Sequence, residues 1–280
     1  MPLKFIPETV CTKPSLIADL RNLVLKQGDT VLLHSSLSSL GWVNGGAETV
    51  VSALLEVLGD SGTLVVPTHT GDNSDPAEWC SPPAPRHLWQ LIRDTMPAYD
   101  PRVSRTSEMG AIAETVRTWP GAVRSAHPQT SFAAIGPAAG RITAGHAMDC
   151  RHGEDSPLAR LDEVGARVLF LGTGFDTCTC FHLAEYRSGT SRMEDSSFAA
   201  TVDGSKEWVT VSDLCSAYED FGAIGEDFEK SGGVARGLVG SADCRLFSIA
   251  EAVSFATSWM KSHRQNGCQR SDVPQVTDSR

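Results

Sequence analysis

The sequence predicts an α/β fold: a central, mainly parallel sheet flanked by helices, with an antiparallel hairpin added in the C-terminal third. The first third of the chain alternates amphipathic helical spacing with short apolar runs in the order α, β, α, β, which demands a crossover between parallel strands. Val168-Leu169-Phe170-Leu171-Gly172 then has the length and continuous apolarity of a strand buried on both faces. Further on, Asp203-Gly204 sits between two strand-like segments, a strong hairpin signal.

Leu16, Ile17, Leu20, Leu23 and Val24 recur at helical spacing and predict a helix over Lys13 to Lys26, ended by Gly28-Asp29. Thr30 to His34 follows as a strand, then a hydroxyl-rich loop from His34 to Gly41. Asn44-Gly45-Gly46 turns the chain into a helix from Ala47 to Leu58, Gly59 to Gly62 break it, and Thr63 to Pro67 supplies a second strand. Thr68 to Pro101, rich in proline, aspartate and tryptophan, reads as a long functional loop with a short helix around His87 to Arg93. Helix over Met109 to Trp119, strand over Ser131 to Ile135 and short helix over Ala138 to Gly145 come next, followed by a polar loop from Asp149 to Pro157. Ser156-Pro157 has the form of a helix start, with serine as cap and proline in the first position. Phe198 to Val202 and Glu207 to Val211 form the hairpin, and Ile249 to Trp259 a closing helix. With no repeat and no clear linker, residues 1–264 are expected to form a single domain and residues 265–280 a polar, disordered tail.

Bulk properties narrow the function. A chain of 280 residues that is 41% hydrophobic can bury a substantial core. It shows no signal-peptide h-region and no apolar stretch of membrane-spanning length, so a cytoplasmic protein is expected. The formal charge of −10 argues against nucleic-acid binding and favours a cationic small molecule. The eight cysteines are scattered rather than arranged as a framework, which suits free thiols in a reducing compartment. Cys178, Cys180 and His182 alternate and, with Cys150 and His152, hold zinc-type donor atoms, but separated Cys-x-x-Cys pairs are missing and no metal is expected.

The chemistry concentrates after the apolar run at Val168, where glycines break the strand and deliver Thr179-x-x-His182-x-x-Glu185. If Thr179 to Tyr186 is helical, residues three apart share a face, and hydroxyl, imidazole and carboxylate line one side of a cleft. The position is beyond the carboxyl end of a strand, where open α/β sheets bind ligands. A histidine accepts and returns protons near neutral pH, and a neighbouring carboxylate fixes its tautomer. A chance polar stripe on a surface helix would give the same pattern.

Taken in order, LLHSSLSSLGWVNGGAETVVSALLEVLGDSGTLVVPT, YDPRVSRTSEMGAIAETVRTWPGAVRSAHPQTSFAAIG, HGEDSPLARL, VLFLGTGFDTCTCFHLAEYR and GLVGSADCRLFSIAEAVSFATSWM resemble the aminoglycoside 3-N-acetyltransferase family across almost the whole chain. The resemblance implies an acetyl-CoA-dependent N-acetyltransferase of non-GNAT fold that acts on an aminoglycoside, expected at the 3-amino group of 2-deoxystreptamine, with a role in antibiotic resistance. It places the family's catalytic histidine on His182, its glutamate on Glu185 and its threonine on Thr179. Where the family often shows His-His-Ala-Glu-His, this chain has His182-Leu183-Ala184-Glu185-Tyr186, so only the first histidine remains as a base.

The same resemblance puts the acetyl-CoA-binding loop at His34, Ser35 and Ser36 and a second cofactor-proximal segment at Arg105, Ser107, Met109 and Gly110. There Ser107 is expected to cap the following helix and Arg105 to meet a phosphate. A polycationic sugar calls for carboxylates, for which Asp72, Asp75 and Glu78 in the long loop and Glu219, Asp220, Glu226 and Asp227 near the C-terminus are candidates, with Trp79 to pack on a sugar face. The protein is expected as a monomer or homodimer. Rival readings are a same-fold acetyltransferase acting on another amine in natural-product biosynthesis, a metal-dependent hydrolase using Cys178, Cys180 and His182, a non-catalytic binding protein, and an acyl-enzyme on Cys178 or Cys180.

Overall fold

The computed structural model describes residues 10–264, so the tail expected from Gln265 lies outside the described residues. Its strands are β1 (Thr30–Ser35), β2 (Thr63–Pro67), β3 (Val123–Arg124), β4 (Phe132–Ile135), β5 (Arg167–Leu171), β6 (Met193–Val202), β7 (Ser205–Leu214), β8 (Ala235–Val239) and β9 (Ala242–Ser248). All but β6 and β7 form one sheet in the order β3-β4-β2-β1-β5-β9-β8. At its centre β1 runs parallel to β2 and to β5, while β4, β3, β9 and β8 join antiparallel at the flanks.

The apolar runs are continuous because the central strands are buried on both faces. Side chains alternate across a strand. Val31 and Leu33 of β1 enter one core, with Leu64, Val66, Leu169 and Leu171, and Leu32 enters the other, with Val65, Val168 and Phe170. The first core is closed by α1 (Lys13–Asn22), α2 (Gly46–Leu58) and α4 (Gly110–Arg117). The second is closed by α5 (Ala139–Thr143), α6 (Pro157–Glu163), α7 (Cys180–Ser188), α8 (Phe221–Lys230) and α9 (Ile249–His263), while α3 (Trp89–Thr95) lies within the long loop.

Local chemistry sets the ends. Thr12 and Ser15 cap α1 reciprocally, and Ser156 accepts from the Leu158 amide to start α6 with Pro157 in its first turn. Helix α1 stops short of the expected Lys26: Leu23 folds its amide back onto the carbonyls of Asp19 and Arg21, and Val24 takes a φ of 59°. Leu23 and Leu25 nevertheless stay buried, which is why the periodicity continued past the helix. The expected hairpin is β6-β7, a separate two-stranded sheet pairing Val202 with Ser205 around Asp203 (φ 48°) and Gly204 (φ 81°), the left-handed geometry of a type I′ turn. A second hairpin, β8-β9, and helix α8 were not anticipated. The exposed face of β8 breaks the alternation that would have marked it. No helix among the described residues is long and apolar enough to cross a membrane.

Gly172, immediately after β5, has a φ of 74°, and a Cβ there would lie 2.5 Å from Cβ of Ser39. The substitution Gly172→Ala is expected to cost roughly 2 kcal/mol or more, through left-handed strain and overpacking together. Urea denaturation followed by circular dichroism measures it.

Candidate active site

The carboxyl ends of β1 and β5 lie side by side, joined by a 2.9 Å hydrogen bond from the Ser36 amide to the Leu171 carbonyl. Beyond β5 the chain makes a short 3-10 turn at Phe175–Thr177 and enters α7 with Thr179 at the cap position. These ends border a cleft of about 470 Å³. His34, Ser35, Met109, Thr179 and His182, which the sequence singled out in three separate segments, all line it.

Glu185 lies one turn behind His182 with no exposed surface. Nδ1–H of His182 donates to Glu185 Oε2 at 2.6 Å, which leaves Nε2 as the ring nitrogen for a bound molecule. The other carboxylate oxygen, Oε1, accepts from the Ala217 amide (2.9 Å) and from Nη1 of Arg264 (2.7 Å). Arg264 also makes a two-point contact with Asp220, at 2.7 and 2.6 Å, and donates to the Ala217 carbonyl at 2.8 Å. Burial opposes the charge on Arg264, but its hydrogen bonds to Asp220 and Glu185 outweigh that and hold its pKa above the usual range.

Other imidazoles pack around this pair. The His152 ring stacks on His182 at 4.6 Å between centroids and 13° between planes, and His69 lies 5.5 Å beyond His152. Burial first, and neighbouring imidazoles second, lower the pKa values of His34 and His69 to about 3, and the same causes push His152 well below the ordinary range. Burial likewise brings His127 to about 2 and His146 to about 4. Nε2 of His34 and of His69, both cleft-lining residues, and both nitrogens of His152 have no protein hydrogen bond. His152 is set in place by Tyr186. The Tyr186 hydroxyl donates to Asp213 (2.6 Å) and accepts from the His152 amide (3.4 Å), and Asp213 accepts from the Arg151 amide (2.7 Å).

The remaining sequence candidates divide. Ser36 accepts from Ser39 Oγ at 2.9 Å, and Arg105 is exposed beside the cleft-lining segment. The Ser107 amide donates to the His69 carbonyl, but Ser107 does not cap α4: Met109 occupies the cap position and makes no side-chain cap bond, because the helix begins only at Gly110. Asp75 is held by Arg93 (2.7 Å), Asp220 by Arg264, and Asp227 by Lys230 and Trp259 Nε1, so those carboxylates already have internal partners. Asp72 and Trp79 border a separate cleft of about 350 Å³, and Glu78 another of about 440 Å³. Glu219 and Glu226 are exposed. The acids that do line the central cleft, Glu108 and Asp176, and the rings of Tyr218 and Phe221 were not anticipated. Glu108 adopts a φ of 58°, an unusual backbone for a residue with a Cβ. Cys178 and Cys180 face each other at 3.4 Å between sulfurs, and burial raises the Cys178 thiol's pKa, so it is a poor thiolate.

A family model described as aminoglycoside 3-N-acetyltransferase matches residues 32–261. The chain is 45% identical over 249 residues to the SPbeta prophage-derived aminoglycoside N(3')-acetyltransferase-like protein YokD of Bacillus subtilis (strain 168), covering 89% of this chain and 92% of that one. The crystal structure of YokD superposes with a TM-score of 0.90, covering 91% of this chain and 95% of that chain at 43% identity. Aminoglycoside N(3)-acetyltransferase VII of Streptomyces paromomycinus is 40% identical over 267 residues, with 89% and 91% coverage. A solved structure of AAC-IIIb in binary complex with CoASH has a TM-score of 0.81 and 30% identity, over 93% of this chain and all (100%) of that chain.

The buried histidines make stability depend on pH in a definite direction. Each is neutral when folded, whereas the unfolded chain takes up protons on histidine below about pH 6.5. Stability is therefore complete above that pH and falls on acidification toward the folded-state values near 4 for His146 and 3 for His34 and His69. Each such histidine contributes about 1.4 kcal/mol per pH unit. The urea midpoint is expected to drop steeply between pH 6.5 and pH 5.

Proposed function

The chain belongs to the aminoglycoside 3-N-acetyltransferase family, and on that premise we propose that it transfers the acetyl group of acetyl-CoA to the 3-amino group of a 2-deoxystreptamine aminoglycoside by direct attack, with His182 as general base. The observation that carries this reading is the His182–Glu185 pair, bonded at 2.6 Å and set at the edge of a cleft that opens beyond the ends of two parallel strands.

Glu185 accepts the Nδ1 proton and so fixes His182 in the tautomer whose Nε2 lone pair is free to take a proton from the acceptor amine. As the amine nitrogen bonds to the acetyl carbon and the carbon–sulfur bond breaks, the proton held on Nε2 passes to the departing thiolate, which returns the ring to its starting state. Glu185 stabilises the imidazolium in between. Thr179, at the start of α7 and on the cleft wall, is the candidate donor to the oxyanion. Hydroxyls and amides at the His34-Ser35-Ser36 strand end, together with the Arg105, Ser107, Met109 and Gly110 segment whose Met109 lines the same cleft, suit the amides and phosphates of the CoA arm. Unpaired Nε2 atoms of His34 and His69 support the presence of a polar ligand against that wall. Glu108 and Asp176 on the cleft wall suit an ammonium-bearing acceptor.

Mass spectrometry of reactions containing the protein, acetyl-CoA and a panel of 2-deoxystreptamine aminoglycosides tests the reading, with fragmentation locating the modified nitrogen. His182→Ala is expected to lower kcat at least about a hundredfold. Protein that binds acetyl-CoA yet acetylates no aminoglycoside would move the acceptor to another amine. Glu185→Gln removes the charge that stabilises the imidazolium, so kcat falls by roughly tenfold or more and the acid limb of the pH profile moves to lower pH.

A further inference from the structure

Arg264 is the residue immediately after α9, and its backbone amide still bonds to the Met260 carbonyl at 2.9 Å. Its guanidinium is 14% exposed and lies between two carboxylates, engaging Glu185 through Nη1 and Asp220 through Nε and Nη2. We propose that Arg264 is a positioning residue for catalysis: by bridging Asp220 to Glu185 it aims the Glu185 carboxylate at Nδ1 of His182 and offsets its buried negative charge, so that Glu185 orients the ring without over-stabilising its imidazolium form. This rests on the reading of His182 as the base.

Surroundings of the pair make the charge of Arg264 decisive. His182 meets Glu185 on its own helix, His152 stacked from the loop before α6, and Phe221 from α8 at 4.9 Å. His34 from β1 and His69 from the segment after β2 are near enough to act electrostatically, and Asp176, Glu108 and Tyr218 share the cleft. The imidazoles of His34, His69 and His152 are held neutral by burial. Among the described residues, Arg264 is therefore the cation bonded to the pair, and it offsets the buried negative charge of Glu185. Without it, that charge would act on His182 undiluted and favour the imidazolium, which cannot accept a proton. A planar fork can hold both carboxylates together, whereas the point charge of a lysine can reach one.

The test compares Arg264→Met and Arg264→Lys with the wild type in two measurements: the pH profile of kcat/KM for aminoglycoside acetylation, and the NMR titration of the His182 ring, assigned by its loss in His182→Gln. In Arg264→Met the ring titration and the acid limb are both expected to move up by about one pH unit, a roughly tenfold loss of rate below the limb. Arg264→Lys is expected to return the limb to its wild-type position while kcat remains several-fold low. An unmoved His182 titration in Arg264→Met, or a lysine variant shifted as far as the methionine one, overturns the proposal. Should Arg264→Met not fold, an Arg264→Lys chain with unchanged kcat overturns it. A ring titration that moves while the acid limb stays fixed would leave the role of Arg264 intact and reject His182 as the base.

Discussion

A carboxylate with no exposed surface must have its charge balanced and its lone pairs occupied, and Glu185 meets both conditions through contacts from separate parts of the chain. His182 binds one oxygen, and the Ala217 amide and Arg264 bind the other. Those contacts fix α7 relative to the segment after β7 and to the end of α9. Helix α7 is thus located by its own buried charge as well as by the apolar packing of Phe181, Leu183 and Ala184. Asp220 occupies the Nε and Nη2 donors that Glu185 leaves free on Arg264 and so fixes the guanidinium in place, which explains why an acid that reads as a substrate contact turns inward.

The departures from the family's usual histidine pattern have a physical counterpart. Leu183 has no exposed surface and belongs to the apolar core, a site where an imidazole would be desolvated. Tyr186 uses its hydroxyl to join Asp213 and the His152 amide. Gly153 permits this approach, since a Cβ there would fall 2.4 Å from the Tyr186 ring. The neighbour thereby set against His182 is a neutral ring rather than a third charge. Imidazole surroundings that are held uncharged give His182 neighbours that carry no competing protons.

Much of this was legible in the sequence because it depends on local spacing. Val168 to Leu171 is apolar at every position, as a strand covered on both sides must be, and Thr179, His182 and Glu185 are spaced for one helical face. The antiparallel pairing of the flanks was not legible, since Ser131 to Ile135 reads as a strand whichever way it pairs, and β8 exposes Leu238 and so lacks the polar face that would have marked it. Arg264 stands 79 residues from Glu185, and nothing near it in sequence marks it as more than the end of a helix. Asp75, Asp220 and Asp227 illustrate the converse: composition counts acids, but only geometry shows which already have a partner.

Because Arg264 follows directly on α9, its proposed role ties the site to the docking of α9, the last helix among the described residues, onto α7. Local openings of terminal elements cost less free energy than global unfolding. Opening of the chain just past α9, at Arg264, would release the guanidinium while the seven-stranded sheet stayed paired and Met260 stayed in the core. If Arg264 serves the pair as proposed, competence and foldedness are separable: a population native by its sheet would be active only in the fraction whose Arg264 is seated between Asp220 and Glu185.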